Sequence, residues 1–245
     1  MTTTRPMRAI LFSAGLGTRM RPLTEHTPKA LIKLGDKTIL DYAIDAFDAA
    51  GCERIVVNTH HLADQIASHL DARRKRHELR AELIHVHEEV LLETGGAIVN
   101  ALPYLGDDEF FTANMDAVWL DDGSSTIASM RKTYEAETMD ALLLLQPRTR
   151  LVSYGGGGDF GLNDAGELTR EGERPYVYAS LQIIHPRLFA GRKVEPFSLR
   201  EQWFSGQRAD GSLARMHGWV HEGDWLHVGS ASELAAAEQF IARQP

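Results

Sequence analysis

The chain has 245 residues, 43% of them hydrophobic and 24% charged, with a formal net charge of -8. These are globular proportions, and the acidic balance argues against a nonspecific nucleic-acid binder. Cys52 is the sole cysteine, which excludes an internal disulfide and a cysteine-type zinc site. No stretch has the length of a membrane span or the pattern of a secretory leader. The expectation is a soluble cytoplasmic protein, a monomer or small homo-oligomer, with neither nucleic acid nor membrane as a partner.

In chain order, Ala9–Phe12 is a short apolar run that stops at a glycine loop, as a strand buried on both faces does. Leu40, Ile44 and Phe47 then fall at helical spacing between Ile39 and Ala50, with Gly51 as the stop. A strand is predicted over Arg54–Asn58, a helix over Leu62–Leu70, a strand over Glu82–Val86 and a helix over Thr94–Leu102. A strand over Glu109–Ala113, a helix over Ser125–Tyr134 and a leucine-rich strand over Ala141–Gln146 continue the alternation. This is the βαβ pattern of an open, mostly parallel, doubly wound α/β sheet with helices on both faces. Such sheets bind ligands at the carboxyl ends of their strands. Beyond residue 150 the pattern changes. The glycine-rich stretch Tyr154–Leu168 suggests a loop and a hairpin, Tyr176–Ile184 a strand, and Phe197–Phe204 a short helix. Ser230 and Glu233 form a capping box that opens a helix with Leu234, Ala237 and Ile241 on one face. One domain over residues 1–245 is expected, with about 1–150 as one half and 151–245 as a substrate-binding second half.

The stretch from Phe12 to Leu31 carries the most chemistry. After the strand come the small residues Ser13, Ala14, Gly15 and Gly17, then Thr18, and then the cations Arg19, Arg21 and Lys29. Small residues let backbone N–H groups close on an anion, and cations just beyond would neutralise a polyphosphate. Neither G-x-x-x-x-G-K-[ST] nor the full dinucleotide G-x-G-x-x-G is present. On residue chemistry alone, a surface turn with scattered basic residues stays open as the alternative.

The same stretch closely resembles the signature A-A-G-x-G-T-R-M-x-P-L-T-x-x-x-P-K of the sugar-nucleotide pyrophosphorylases. It matches at Ala14, Gly15, Gly17, Thr18, Arg19, Met20, Pro22, Leu23, Thr24, Pro28 and Lys29, with Ser13 in place of the first alanine. The resemblance implies a Rossmann-like, glycosyltransferase-A-type fold, with the nucleotide in the first half and the sugar phosphate in the second. By resemblance, Ser13, Ala14, Gly15, Gly17, Thr18 and Arg19 wrap the nucleotide, Arg19 holds the leaving pyrophosphate, and Lys29 stabilises charge on the α-phosphate.

Glu93-Thr94-Gly95-Gly96 resembles the family stretch that touches base and sugar. That assigns Glu93 and Gly95 to the nucleotide and Gly96 to the sugar phosphate, two glycines at a helix start permitting close approach by a flat ring or a sugar. Its form resembles the bacterial branch that activates N-acetylmuramic acid 1-phosphate with UTP. Branches that use GTP with mannose or heptose phosphates have a similar stretch. Asn58-Thr59-His60-His61 lies at the end of a strand; Asn58 is assigned to the nucleotide, and His60 and His61 could contact base or phosphate, or be a hydrated loop histidine pair. His85 and His87 share a strand face but lack a third ligand, so they read as surface or core histidines. Gly158-Asp159-Phe160 resembles a G-D-F stretch of the muramic-acid branch, where Asp159 would accept from sugar hydroxyls; a plain turn aspartate is the alternative.

Asn114 and Asp116 lie two apart and are expected on one face, with Met115 opposite them in the core. The resemblance makes Asp116 a Mg²⁺ ligand and places Asn114 at the sugar phosphate. Where the family carries a second aspartate, in W-x-D-[VI]-G, this chain has Trp225-Leu226-His227-Val228-Gly229. Asp224 would lie on the opposite strand face and is discounted as a substitute. Three readings of His227 compete: a direct metal contact, favouring Mn²⁺ or Co²⁺; a hydrogen bond to a metal-bound water or phosphate; or a chain that binds without catalysing. The implied reaction joins a nucleoside triphosphate, UTP favoured, and a sugar 1-phosphate, releasing pyrophosphate. The alternatives are a guanylyltransferase for mannose or heptose 1-phosphate and a non-catalytic nucleotide-sugar-binding regulator.

Overall fold

The computed structural model describes residues 5–121, 125–152 and 154–243. The strands are β1 (Arg8–Phe12), β2 (Lys33–Leu34), β3 (Lys37–Thr38), β4 (Arg54–Thr59), β5 (Glu82–His87), β6 (Phe110–Asn114), β7 (Ala117–Leu120), β8 (Ala141–Pro147), β9 (Gly161–Leu162), β10 (Glu167–Thr169), β11 (Tyr176–Ile184), β12 (Ser212–Val220) and β13 (Asp224–His227). The α-helices are α1 (Ile39–Ala49), α2 (Ala63–Lys75), α3 (Glu93–Leu105), α4 (Thr126–Thr133), α5 (Arg200–Phe204) and α6 (Ala231–Ile241).

A nine-stranded sheet runs in the order β5-β4-β1-β6-β11-β8-β12-β10-β9. The expected parallel sheet is there: β5, β4, β1 and β6 are parallel neighbours. The leucine strand β8 is not the next neighbour, because β11 inserts antiparallel between β6 and β8. Side chains alternate across the sheet. Ala9 and Leu11 of β1 pack with α1, α2, α4 and α6 on one face. Ile10 packs with α3 and Trp203 of α5 on the other. Burial on both faces is why β1 and β8 read as unbroken apolar runs.

Helices α1, α4 and α6 start where a side chain satisfies one of their first N–H groups. The Thr38 hydroxyl accepts from Asp41 N (3.0 Å) at α1, Ser125 Oγ from Ala128 N (3.3 Å) at α4, and Ser230 Oγ from Glu233 N (3.3 Å) at α6. Helix α2 runs past its predicted end at Leu70. Its basic last turn is held by ion pairs of Arg73 with Asp41 and Asp45. Helix α3 continues through Pro103 into its final turn before Gly106 ends it at φ 78°.

Two features outside the main sheet place the site. Strands β13 and β7 form an antiparallel ribbon in which His227 is paired with Ala117, beside Asp116. Val228 N donates to Asp116 O at 2.7 Å and extends that pairing by a residue. The second feature is a register shift in β11 between Tyr178 and Gln182, where Ser180 takes φ 64°. Among the described residues, no helix is long and apolar enough to cross a membrane.

Candidate active site

A cleft of roughly 480 Å³ opens at the carboxyl ends of β1, β4 and β6, where an open α/β sheet is expected to bind. One wall is the loop after β1, with Ala14, Gly15, Gly17, Thr18 and Arg19, joined by Lys29 from a short 3₁₀ turn. Gly17 sits at φ 63°, and an added Cβ there would lie 2.9 Å from the Thr24 side chain. Thr24 is buried, and its hydroxyl donates to Gly17 O at 2.8 Å. The loop is therefore folded back on itself before any ligand arrives, and its small residues leave the inner face open.

The base of this wall is tied to the loop before α3. Asn58 Oδ1 accepts from Ser13 N at 2.9 Å, and Asn58 Nδ2 donates to Glu88 Oε1 at 2.7 Å. Glu88 Oε2 accepts from Leu92 N at 3.1 Å. Glu88 is buried, and these contacts satisfy both of its oxygens. Glu93, next in the chain, lines the cleft with its backbone at φ 58°, a left-handed conformation that a non-glycine residue adopts at a cost of about 1–3 kcal/mol.

Burial lowers the Lys29 ammonium from its usual pKa; Asp116 opposes that shift, Arg19 adds to it, and Glu233 opposes it. Lys29 thus stands amid the charges of the cleft and is partly withdrawn from water. Facing it, Asn114, Met115 and Asp116 all reach the lining. Met115 is in the core as expected, although it also borders the cleft. Strand β6 ends at Asn114, and Met115-Asp116 is a turn into β7. Met115 is buried against the core and contributes to the cleft wall as well.

Asp116 Oδ1 accepts from Ser180 Oγ at 2.9 Å. Its Oδ2 lies 3.9 Å from Nε2 of the buried His227. That is too long for a hydrogen bond but suits two donors that each stand about 2 Å from one divalent cation. Among the described residues, no group of three or more His, Cys, Asp or Glu side chains forms a metal cage. A cation held by Asp116 and His227 would therefore draw its remaining ligands from water and substrate phosphates, as Mg²⁺ commonly does.

Several residues singled out in the sequence are placed elsewhere. Ser13 lies beneath the loop, bonded through its N–H. His60 is held at Glu88 O by Nδ1 at 2.8 Å, and His85 Nε2 lies 2.7 Å from Thr59 Oγ1. Asp159 Oδ2 accepts from Tyr178 N at 3.0 Å, next to the register shift of β11. Gly95 and Gly96 do permit a close approach, but by the chain itself. A Cβ on Gly95 would lie 2.2 Å from the Phe197 ring, and one on Gly96 2.2 Å from Glu195 O. Gly95 N donates to Phe197 O at 2.9 Å, and the Thr94 hydroxyl accepts from Leu199 N at 2.9 Å. This strap carries Ser198 into the cleft. Phe12, Leu91, Thr94, Ser198 and Gly229 line the cleft without having been singled out. Phe12 and Thr94 were within reach, at the carboxyl end of β1 and inside the Glu93–Gly96 stretch. Ser198 had no local signal.

The family model of the MobA-like NTP transferase domain matches residues 9–217. The chain belongs to this family. It is similar to the N-acetylmuramate alpha-1-phosphate uridylyltransferase of Caulobacter vibrioides, 37% identical over 97% of this chain and 98% of that protein. It is also similar to the mannose-1-phosphate guanylyltransferase catalytic subunit beta of Dictyostelium discoideum, 25% identical over 93% of this chain and 62% of that protein. A crystal structure of a UDP-glucose pyrophosphorylase complexed with UDP-glucose matches with a TM-score of 0.75 at 17% identity, over 98% of this chain and all of that one, and bears out the fold. As an NTP transferase, the chain is an enzyme.

Proposed function

We propose that this NTP transferase joins UTP and N-acetylmuramate 1-phosphate, giving the UDP-sugar and pyrophosphate. The observation that carries the reaction class is the convergence of Arg19 and Lys29 on one wall with Asp116 opposite, in one cleft at the carboxyl ends of the strands. The 37% identity to a uridylyltransferase along nearly the whole chain supports the choice of base and sugar.

An oxygen of the sugar phosphate attacks the α-phosphorus of UTP in line, and the bond to the pyrophosphate oxygen breaks. The nucleophile is already ionised, so no general base is required, and catalysis is positioning and neutralisation of charge. Ala14 to Thr18 present backbone N–H groups to the triphosphate, and Arg19 takes the pyrophosphate charge. Lys29 neutralises the α-phosphate. Asn58 and Glu93 bound the nucleotide, while Asn114, Thr94 and Ser198 bound the sugar phosphate. Asp116 and His227 would hold a divalent cation, which supplies further neutralisation of phosphate charge when bound. In this reading residues 1–150 supply most of the nucleotide wall, and Ser198, His227 and Gly229 come from the second half.

The guanylyltransferase reading rests on the similarity to the Dictyostelium protein. Pyrophosphate release, measured with UTP, GTP, CTP and dTTP against N-acetylmuramate, N-acetylglucosamine, mannose and heptose 1-phosphates, decides between them. The expected result is the highest kcat/KM for UTP with N-acetylmuramate 1-phosphate. A higher value for a GTP pair would replace this reading with the second, and release from no pair would remove both.

A further inference from the structure

Glu88 stands beside the cleft at 2% exposure, and among the described residues no lysine or arginine forms an ion pair with it. A carboxylate taken out of water without a counter-ion persists only where hydrogen bonds hold it. Its two oxygens accept from Asn58 Nδ2 at 2.7 Å and from Leu92 N at 3.1 Å, and Asn58 Oδ1 accepts in turn from Ser13 N at 2.9 Å. Asn58 is 3% exposed and Ser13 6%, so this line of three bonds is shut off from water along its length. The backbone is fixed as well: Glu88 N donates to Thr59 O at 2.8 Å, which ties it to the end of β4.

Both ends of the line are backbone N–H groups, and each must be accepted. Positions 58 and 88 therefore each turn one oxygen outwards, and the link between them needs one donor and one acceptor. One amide and one carboxylate satisfy all three bonds. Two amides would leave a donor facing a donor, and two carboxylates would leave two negative oxygens face to face. The buried charge follows from joining two N–H groups through two side chains.

The groups so joined belong to opposite walls of the cleft. Ser13 opens the loop that presents Ala14, Gly15 and Gly17. Leu92 lies between Leu91 and Glu93, which line the cleft at the start of α3. Glu93 takes its left-handed φ of 58° directly after the bonded Leu92. Among the described residues no other hydrogen bond links these two walls. A gap held at one width suits one size of base, and a purine brings a second ring that a pyrimidine lacks.

We propose that Glu88 is a positioning residue: through Asn58 it braces the loop after β1 against the start of α3, and so sets the width of the nucleotide end of the cleft and its choice between pyrimidine and purine. The inference rests on the nucleotidyl-transfer reading of this cleft, with the base held between these walls.

The test is a cycle of Glu88→Gln, Asn58→Asp and the double variant. Calorimetry on the full chain measures UTP and GTP binding in one Mg²⁺ buffer, well below each variant's melting temperature. Either single change breaks one bond of the line; UTP affinity is expected to fall about 10-fold, and the preference for UTP over GTP to shrink with it. In the double variant the carboxylate at position 58 accepts from Ser13 N and from the amide at position 88, whose oxygen accepts from Leu92 N. All three bonds return with the net charge unchanged, and both affinity and preference return to within about threefold of the wild type. In turnover, KM for UTP moves more than KM for the sugar phosphate in both single variants, whereas a general loss of structure would move both. Should a single variant fail to fold, the double variant still decides, because it is expected to fold and bind. Single variants that fold and keep wild-type UTP affinity and preference, or a double variant no better than the weaker single one, would overturn the inference. A wild type that prefers GTP would replace the choice of base, and a preference lost in the single variants and regained in the double would still support the brace. Regained binding without pyrophosphate release from any substrate pair would instead remove the reading of the reaction.

Discussion

In the proposed reaction Lys29 must be charged to neutralise a phosphate, yet the fold withdraws it from water. Its pKa is lowered from the ordinary 10.5, with burial as the leading cause. The folded chain therefore releases this proton at a lower pH than the unfolded chain does. In the interval between the two values the unfolded state binds more protons, so stability rises with pH there; at lower pH the charged lysine is a cost to the fold. Replacing it by an apolar side chain of similar reach should remove that cost along with the activity. Lys29→Met is expected to lower kcat about 10²- to 10³-fold and to raise stability by ~0.5–1 kcal/mol, read from urea denaturation at neutral pH. For the wild type, log kcat/KM, which reports the free enzyme, should fall on an alkaline limb below pH 10.5. Lys29→Arg should abolish that limb, because arginine stays protonated. A limb that persists in Lys29→Arg would belong to another group, and a less stable Lys29→Met would place the lysine in a favourable ion pair. The place of Lys29 in the cleft wall could be read in the sequence because its stretch is contiguous, from Ser13 onward. The approach of Glu233 Oε1 to His227 Nδ1, 3.0 Å away, could not be read, because Ser-x-x-Glu before an apolar run announces a helix cap and says nothing of the imidazole near its other oxygen.

At the scale of elements, the strap over the start of α3 shows what a local reading misses. Glu93-Thr94-Gly95-Gly96 was expected to give room to a ligand, and the two glycines give it to residues about a hundred positions later in the chain. Phe197 lies on Gly95 with Arg192 stacked on its outer face at 4.6 Å, and its carbonyl accepts from Gly95 N. An N–H donor that an isolated helix would leave free at its start is thus used by the chain. The strap carries Ser198 into the cleft, so in the proposed function its fit on α3 should govern the end that takes the sugar phosphate. Gly95→Ala is expected to cost roughly 1–3 kcal/mol through overpacking against the Phe197 ring and to raise KM for the sugar phosphate more than for UTP. The clash is with a side chain, so Phe197→Ala in the same chain should relieve it, and the double variant should be less destabilised than the two single changes added together. Strict additivity in that cycle would mean that the strap does not rest on Gly95 in solution. Ribbon β13–β7 teaches a related lesson: β7 is four residues long, and the partner that makes it a strand lies about a hundred residues away.

At the scale of the whole molecule, how far the sequence could be read depended on how local each pairing is. Up to β8 the main-sheet strands β1, β4, β6 and β8 are largely buried, so apolar runs mark them one by one, while the short β2, β3 and β7 gave no such run. After β8 the neighbours are set by distant pairings. Strand β11 is easy to see as a strand, but nothing within Tyr176–Ile184 says that it runs antiparallel between β6 and β8. Strand β12 carries glycine, serine and arginine among its apolar residues and gave no alternation to follow. The consequence is a cleft assembled from loops far apart in sequence, from Ala14 near one end to Gly229 near the other. A ligand that touches all of them should bind the folded chain and have little affinity for the unfolded one. UTP with Mn²⁺ or Mg²⁺ at one hundred times its dissociation constant should add about 2.7 kcal/mol, which for a chain of this size raises the melting temperature by roughly 5–10 °C. Removing the cation with a chelator should abolish most of that rise if Asp116 and His227 hold the metal against the triphosphate. GTP at the same concentration should give a smaller rise if the nucleotide wall selects uracil. Equal rises for both nucleotides would show that the loop grips only the phosphates, leaving the choice of base to the sugar-bound complex, and a full rise in the presence of the chelator would take the metal out of nucleotide binding.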